Sequence, residues 1–186
     1  MQAFFAVLTI VLFTGCASLN REQCQRGDWY GIGLADGQAG EPVQRMDRHV
    51  RACSEYGIRV DDQQYRAGHD RGLAEYCTID NAFESGLQGR RYQRVCPPAI
   101  DALFERCNEA AFDVYRSRRE LDDLEDRIDN VELRLLSRDP TDSNRNDLRR
   151  YRRELEWRYE RLRTELFFRE RTLNDLRNEV GSRPPF

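Results

Sequence analysis

Lysine is missing from this chain: all thirty basic residues are arginine. Coding bias accounts for that usage before any demand for bidentate arginine pairing does. The bases are offset by 33 acids, so no net positive field draws nucleic acid. Histidine occurs only at His49 and His69. The spacings GxSxG and HExxH and a glycine-rich phosphate cradle are also lacking, which removes the usual signatures of serine hydrolases, zinc proteases and nucleotide enzymes. No apolar run reaches the roughly 20 residues that a membrane-spanning helix needs. Glycine is absent from 99 to 180, so that stretch has little to interrupt a helix.

What is present begins with a short apolar segment. Ala3 to Phe13 is apolar apart from Thr9 and ends in Phe13-Thr14-Gly15-Cys16. Its length suits the core of a secretory signal, with residues 1–15 expected to be removed. Small residues directly before a cysteine resemble the lipobox of bacterial lipoproteins, which implies cleavage before Cys16 and acylation of its thiol. The first residues carry no Arg or Lys, and Phe13 stands where that pattern prefers leucine. An ordinary cleaved signal is the competing reading. Ala17 follows the cysteine instead of aspartate, and by resemblance to enterobacterial sorting this directs the protein to the outer membrane, facing the periplasm. Each buried acyl methylene contributes about 0.8 kcal/mol to such an anchor.

The remaining chain divides by composition. Cys24 to Cys96 holds ten of the twelve glycines, while Ala99 to Val180 is dense in Glu, Arg and Leu. Cys96-Pro97-Pro98 marks the change, since prolines suit a linker or a first helical turn. The expected organisation is a signal over 1–15, a lipidated tether over 16–26, a Gly/Cys-rich domain over 27–98, a helical hairpin over 99–180 and a tail over 181–186.

In the second half, Cys107, Val114, Leu121, Ile128 and Leu135 recur every seven residues, accompanied by Ala110, Ser117, Leu124 and Val131. This is the a/d seam of a coiled-coil-like helix. Asp139-Pro140 breaks it, and the pattern resumes with Leu148, Leu155, Leu162 and Leu176 beside Tyr159, Leu166, Leu173 and Val180. Two segments of similar length around a turn near 137–141 predict an antiparallel hairpin, with a homo-oligomer through the same seams as the alternative. Arg169 interrupts the second seam, and Trp157, Phe167 and Phe168 lie off it, implying a further packing surface.

The glycine-rich half predicts short helices. One is expected over Pro42–Tyr56, with Met46, Val50 and Cys53 on one face and a stop at Gly57. Another opens at Asp61 with Gln64 as its capping partner. Gly68 and Gly72, like Gly33 and Gly37, are four residues apart. A helix that accepts about 1 kcal/mol per glycine on one stripe needs backbones to approach closely. Arg91 to Val95 alternates weakly and could form a strand.

These residues carry a resemblance. Cys24, Gly27-Asp28-Trp29-Tyr30, Gly33, Asp36-Gly37, Gly40, His49, Ala52-Cys53, Asp61, Tyr65, Gly68, Gly72-Leu73, Tyr76-Cys77, Gly86, Gly89, Tyr92 and Val95-Cys96-Pro97 stand in an ordered series. That series resembles the bacterial lipoprotein family named domain of unknown function 2799, over roughly 24 to 115. The resemblance implies a Gly/Cys-rich envelope domain without an assigned activity. At its end Phe112 and Tyr115 fit, but Arg118 replaces the expected glycine, so the C-terminal half reads as a helical extension.

The fold class expected is therefore all-α: short Gly/Cys-rich helices tied by disulfides, then a long antiparallel hairpin. Five cysteines would remain in an oxidising compartment, giving two bridges and one odd thiol. Cys107 lies outside the family motif and on the seam and is taken as that thiol. Five cysteines allow fifteen ways to form two bridges; the pairing favoured among the four others is Cys24–Cys53 with Cys77–Cys96, each bridge contributing about 3 kcal/mol through loop entropy. A metal site from His49, Cys53, His69 and Cys77 is the weaker use of these residues, because paired CxxC elements are missing. No cofactor or catalytic residue is expected. Asp28, Asp36, Asp61, Asp62 and Glu75 could supply a carboxylate pair for a cell-wall hydrolase, but capping and solvated faces explain them first. Trp29, Tyr30, Asp36 and His49 are the candidates for a small-ligand or peptidoglycan contact. The leading expectation is a lipid-anchored structural or adaptor protein working through an envelope protein partner.

Overall fold

The computed structural model describes residues 18–137 and 142–181. The expected signal segment, Cys16, most of the turn near 137–141 and most of the C-terminal tail lie outside those residues. The regular secondary structure of the described residues is all helical, with no strand among them. The chain resolves into two units, which divide at Gly72–Leu73.

The first unit contains α1 (Arg21–Arg26), α2 (Trp29–Gln38), a 3-10 turn (Val43–Arg45), α3 (Met46–Ser54) and most of α4 (Asp62–Tyr76). Folding of the segment expected as a tether is already under way at Ser18. Leu19 is buried, and Asn20 caps α1 in a reciprocal capping box with Gln23. Cys24 is bonded to Cys53 of α3, with Cα atoms 5.5 Å apart. Leu19, Cys24, Trp29, Cys53 and Tyr65 form the core of this unit. Asp28 opens α2 by accepting from the Gly31 amide at 2.9 Å, and Asp61 opens α4 by accepting from the Gln64 amide at 3.0 Å.

The glycines act as their spacing implied. A Cβ on Gly33 would lie 2.0 Å from the Tyr65 carbonyl oxygen, and one on Gly68 would lie 2.0 Å from that of Tyr30. Helices α2 and α4 therefore cross backbone to backbone. The helix expected over Pro42–Tyr56 is shorter and begins with the 3-10 turn. Its buried face is His49, Ala52 and Cys53, whereas Val50 is exposed. The reason is the disulfide and the polar partners of His49, which turn that side inward.

The second unit carries α5 (Ile79–Leu87), α6 (Pro98–Leu136) and α7 (Asp142–Gly181). Pro98 starts α6 at its first position, where a missing amide costs nothing. The second bridge, Cys77–Cys96, closes the loop around α5 with Cα atoms 5.6 Å apart. Gly86 lets α5 settle on α6, since a Cβ there would meet the Asn108 carbonyl oxygen at 2.4 Å. Residues 91–95 do not form the alternative strand. Arg94 takes a left-handed φ of 55°, and the Tyr92 amide donates to Asn108 Oδ1 at 2.9 Å.

Helices α6 and α7 are antiparallel. Arg127 reaches the Tyr151 hydroxyl at 2.6 Å, Arg118 reaches Glu170 at 2.6 Å, and Arg106 pairs with Glu179, so positions rise on one helix as they fall on the other. In the outer part of the seam, Leu124 and Val131 bury against Leu148, Leu155 and Leu162. Nearer α5, the cluster becomes Phe83, Phe104, Cys107, Ala111, Val114, Leu173 and Leu176. Cys107 is buried in it, outside either bridge.

Candidate functional site

Of the four residues read as a contact surface, two meet. Asp36, midway along α2, accepts from His49 Nε2 of α3 at 2.7 Å and from the Tyr65 hydroxyl of α4 at 2.7 Å, both on Oδ2. Its Oδ1 lies 3.2 Å from Arg45 Nε in an ion pair. Across the ring, His49 Nδ1 is 3.0 Å from the Ser18 hydroxyl. Nε2 thus faces the Asp36 carboxylate and Nδ1 the Ser18 hydroxyl. Trp29 is instead a core residue, and the Tyr30 ring is exposed. These four side chains do not line a common pocket.

The electrostatics of the cluster follow from its geometry. Burial pushes the Asp36 carboxyl up, but hydrogen bonds from His49 and Tyr65 and the charges of His49 and Arg45 outweigh it and hold Asp36 below the ordinary carboxylate value. Burial, reinforced by the hydrogen bond to Asp36, pushes the Tyr65 hydroxyl well above its ordinary value. Asp36 is thus a partly buried anion of the first unit, with two hydrogen-bond donors and the Arg45 charge around it. Such an arrangement fixes the crossing of α2, α3 and α4 and ties Ser18 to the core.

The connectivity Ser18–His49–Asp36 also occurs in acyl-transfer triads. Here the carboxylate is shared with Tyr65 and Arg45, and the His49 ring is almost wholly buried. A second polar hub was not singled out from sequence. Buried Asn108 Nδ2 shares its two protons among the Ala82 carbonyl at 3.2 Å, Ser85 Oγ at 3.0 Å and the Arg90 carbonyl at 3.0 Å, while its Oδ1 accepts from the Tyr92 amide. The Tyr92 hydroxyl donates to Asp101 at 2.5 Å and accepts from the Cys96 amide at 2.8 Å. Burial and the Asp101 contact push Tyr92 well up. Tyr65 and Asn108 share one sequence signal: each is a polar-tipped side chain at a position the helical period assigns to the inside.

A cleft of about 200 Å³ opens beside this hub, lined by Arg91, Tyr92, Glu105, Asn108, Glu109 and Phe112. Arg91 lies over the Phe112 ring at 4.9 Å. The metal set considered above does not assemble: Cys53 and Cys77 sit in separate bridges, and no three His, Cys, Asp or Glu side chains converge among the described residues. The carboxylates are dispersed as well. Asp28 and Asp61 are caps, and Asp62 pairs with Arg66 at 2.9 Å.

The three most exposed aromatics among the described residues are on α7: Trp157 is 62% exposed, Phe167 61% and Phe168 58%. Phe167 and Phe168 meet edge to face at 5.6 Å, and Arg161 covers Trp157 at 5.7 Å. The seam of α7 is already filled by α6, so these rings are surplus to the hairpin. No helix of the described residues is long and apolar enough to cross a membrane.

Fold and sites together define a small disulfide-tied helical domain that continues into a helical hairpin. Residues 28–112 match the model of the family described as "Protein of unknown function (DUF2799)". The match runs from the cap of α2 into the first part of α6, which leaves the rest of α6 and all of α7 as an extension. Neither curated proteins nor solved structures gave a match to the chain.

Proposed function

We propose that this protein is a lipid-anchored structural or adaptor protein of the bacterial envelope, held in the outer membrane by acyl chains on Cys16 and working in the periplasm through contacts of its hairpin. The observation that carries the adaptor reading is the aromatic surface of α7. Trp157, Phe167 and Phe168 stay exposed although the seam leucines Leu155, Leu162, Leu173 and Leu176 of the same helix are already buried. Exposed aromatic anchors ringed by arginine are the composition of contact hot spots.

The start of the folded chain supports the anchor. With Ser18 bonded to His49 and Leu19 buried, only Ala17 separates Cys16 from packed structure. A domain tied that closely would sit directly on the bilayer instead of swinging on a linker.

Metabolic labelling with a palmitate analogue tests the anchor: incorporation into the native chain and its loss in Cys16→Ser are expected. A photo-crosslinking amino acid at Phe167 in living cells tests the contact, with discrete adducts expected there and none from an exposed control at Arg163. A native chain that takes up no label and retains Met1 would overturn the anchored reading. An absence of adducts at Phe167 and Trp157 would overturn the adaptor reading.

A further inference from the structure

On α7, Arg150, Arg153, Trp157, Arg161, Thr164 and Phe168 follow one another in steps of three and four, which places them on one helical face. All are exposed, and the face points away from the seam residues Leu148, Leu155 and Leu162. On α6, Asp122, Asp126, Asp129, Leu133 and Leu136 follow the same steps and are also exposed, Leu136 at 81%. That face points away from Leu124 and Val131. One hairpin therefore carries a basic aromatic face on one helix and an acidic face ending in two leucines on the other.

We propose that the occupant of the α7 face is the α6 face of a second copy of this chain. Two α7 faces cannot serve each other, because Arg150, Arg153 and Arg161 would meet arginines across the contact. The α6 face offers the opposite sign, and its Leu133 and Leu136 supply apolar cover for Trp157. Arg153, Asp126 and Asp129 have no ion-pair partner among the described residues, so these charges are available to an intermolecular contact. Arg150, Arg161 and Arg119 pair with Asp147, Glu165 and Asp122 at 3.0, 3.1 and 3.8 Å. All three pairs are exposed and within one helix, the kind that contributes little and exchanges readily.

The two faces lie on opposite sides of the hairpin, so the contact joins unlike surfaces and repeats from copy to copy. It produces a row or ring of hairpins and not a closed pair.

The test uses the mature lipidated chain in neutral detergent, followed by sedimentation velocity over a range of concentration and salt. The native chain is expected to form species larger than a dimer that dissociate as salt rises. Reversing α7 (R150E, R153E and R161E) or reversing α6 (D122R, D126R and D129R) should each weaken association about tenfold or more. Mixing the two reversed chains, or combining both reversals in one chain, should restore association to within about threefold of native. Unchanged helicity and melting temperature in each variant show that the hairpin remains folded. A native chain that stays monomeric up to about 100 µM, or reversals that are not rescued by combination, would overturn the proposal. Recruitment of that monomer to anionic vesicles through Trp157 would assign the face to lipid instead. Crosslinked envelope partners at Phe167 without self-association would sink this inference and leave the adaptor reading standing.

Discussion

Arg169 donates to the Ser117 hydroxyl across the hairpin, placing an arginine and a serine opposite each other at positions where the heptads call for leucine. Ser117 is fully buried and also donates to the Asp113 carbonyl at 2.8 Å, while Arg169 keeps a looser pair with Glu165 at 3.7 Å. The arginine side chain is about a third exposed, so its stem lies in the seam and its charge reaches solvent.

Replacing Arg169 with leucine should therefore stabilise the hairpin, by about 1 kcal/mol from the added apolar burial. Ser117→Leu should do the opposite and cost about 1–3 kcal/mol, because a fully buried site under Arg169 has no room for three more carbons. Urea unfolding monitored by circular dichroism checks both signs. A lowered midpoint for Arg169→Leu would mean that the polar pair is a net stabiliser.

The Asp36 cluster makes the first unit sensitive to pH at both ends. Asp36 is held below its ordinary value of 3.8, so its contribution is present above that pH and is lost as acid protonates the folded carboxylate. Tyr65 is held above its ordinary value of 10.0, so its contribution is present below pH 10 and disappears as the pH rises beyond it. Tyr65→Phe should cost about 1.5–3 kcal/mol at neutral pH, as the loss of a buried hydrogen bond to a carboxylate. It should also flatten the Tyr65 part of the alkaline limb, whereas Asp36→Asn should flatten the acid limb. Melting temperatures from pH 3 to 12 would show this; a Tyr65→Phe alkaline limb as steep as the native one would refute the assignment.

The long helices were legible because their information is local and repeated. Leu124, Val131, Leu148, Leu155 and Leu162 all bury as the seven-residue spacing implies. Gly33 and Gly68 were legible for a related reason, since a costly residue repeated on one stripe has to be explained by close approach. Val50 was misread as inward because its apolar character was weighed above the bonding needs of His49, which only the fold reveals. The Asp36–Tyr65 contact, whose partners are 29 positions apart, has no local signature at all. Nor does the packing of Ser18 and Leu19, which composition alone assigns to a tether.

Glycine replacements separate close approach from conformational freedom. Gly68→Ala gains about 1 kcal/mol of helix propensity, yet its Cβ would meet the Tyr30 carbonyl at 2.0 Å and the Leu34 amide at 2.9 Å. Backbone on both sides must move, so a net loss above about 2 kcal/mol is expected, in the range of severe overpacking. Gly57→Ala meets nothing within 4 Å but keeps a φ of 70°, and it should cost about 1 kcal/mol. Equal losses at the two sites in denaturant unfolding would contradict the crossing of α2 and α4.

The Cys24–Cys53 bridge bears on the anchor as well as on stability. It fastens α1, the first helix after Ser18, to α3, which also carries His49. Replacing both cysteines with serine frees a loop of 29 residues, which by chain entropy should cost about 3 kcal/mol or slightly more. The loss should fall first on the start of the chain, because the capping box of a six-residue helix cannot hold that helix in place alone. Hydrogen exchange should then show rapid labelling at the amides of position 24 and Gly27, with α6 and α7 protected as before. Uniform loss of protection across both units would show instead that they unfold together, and that the bridge stabilises the whole chain.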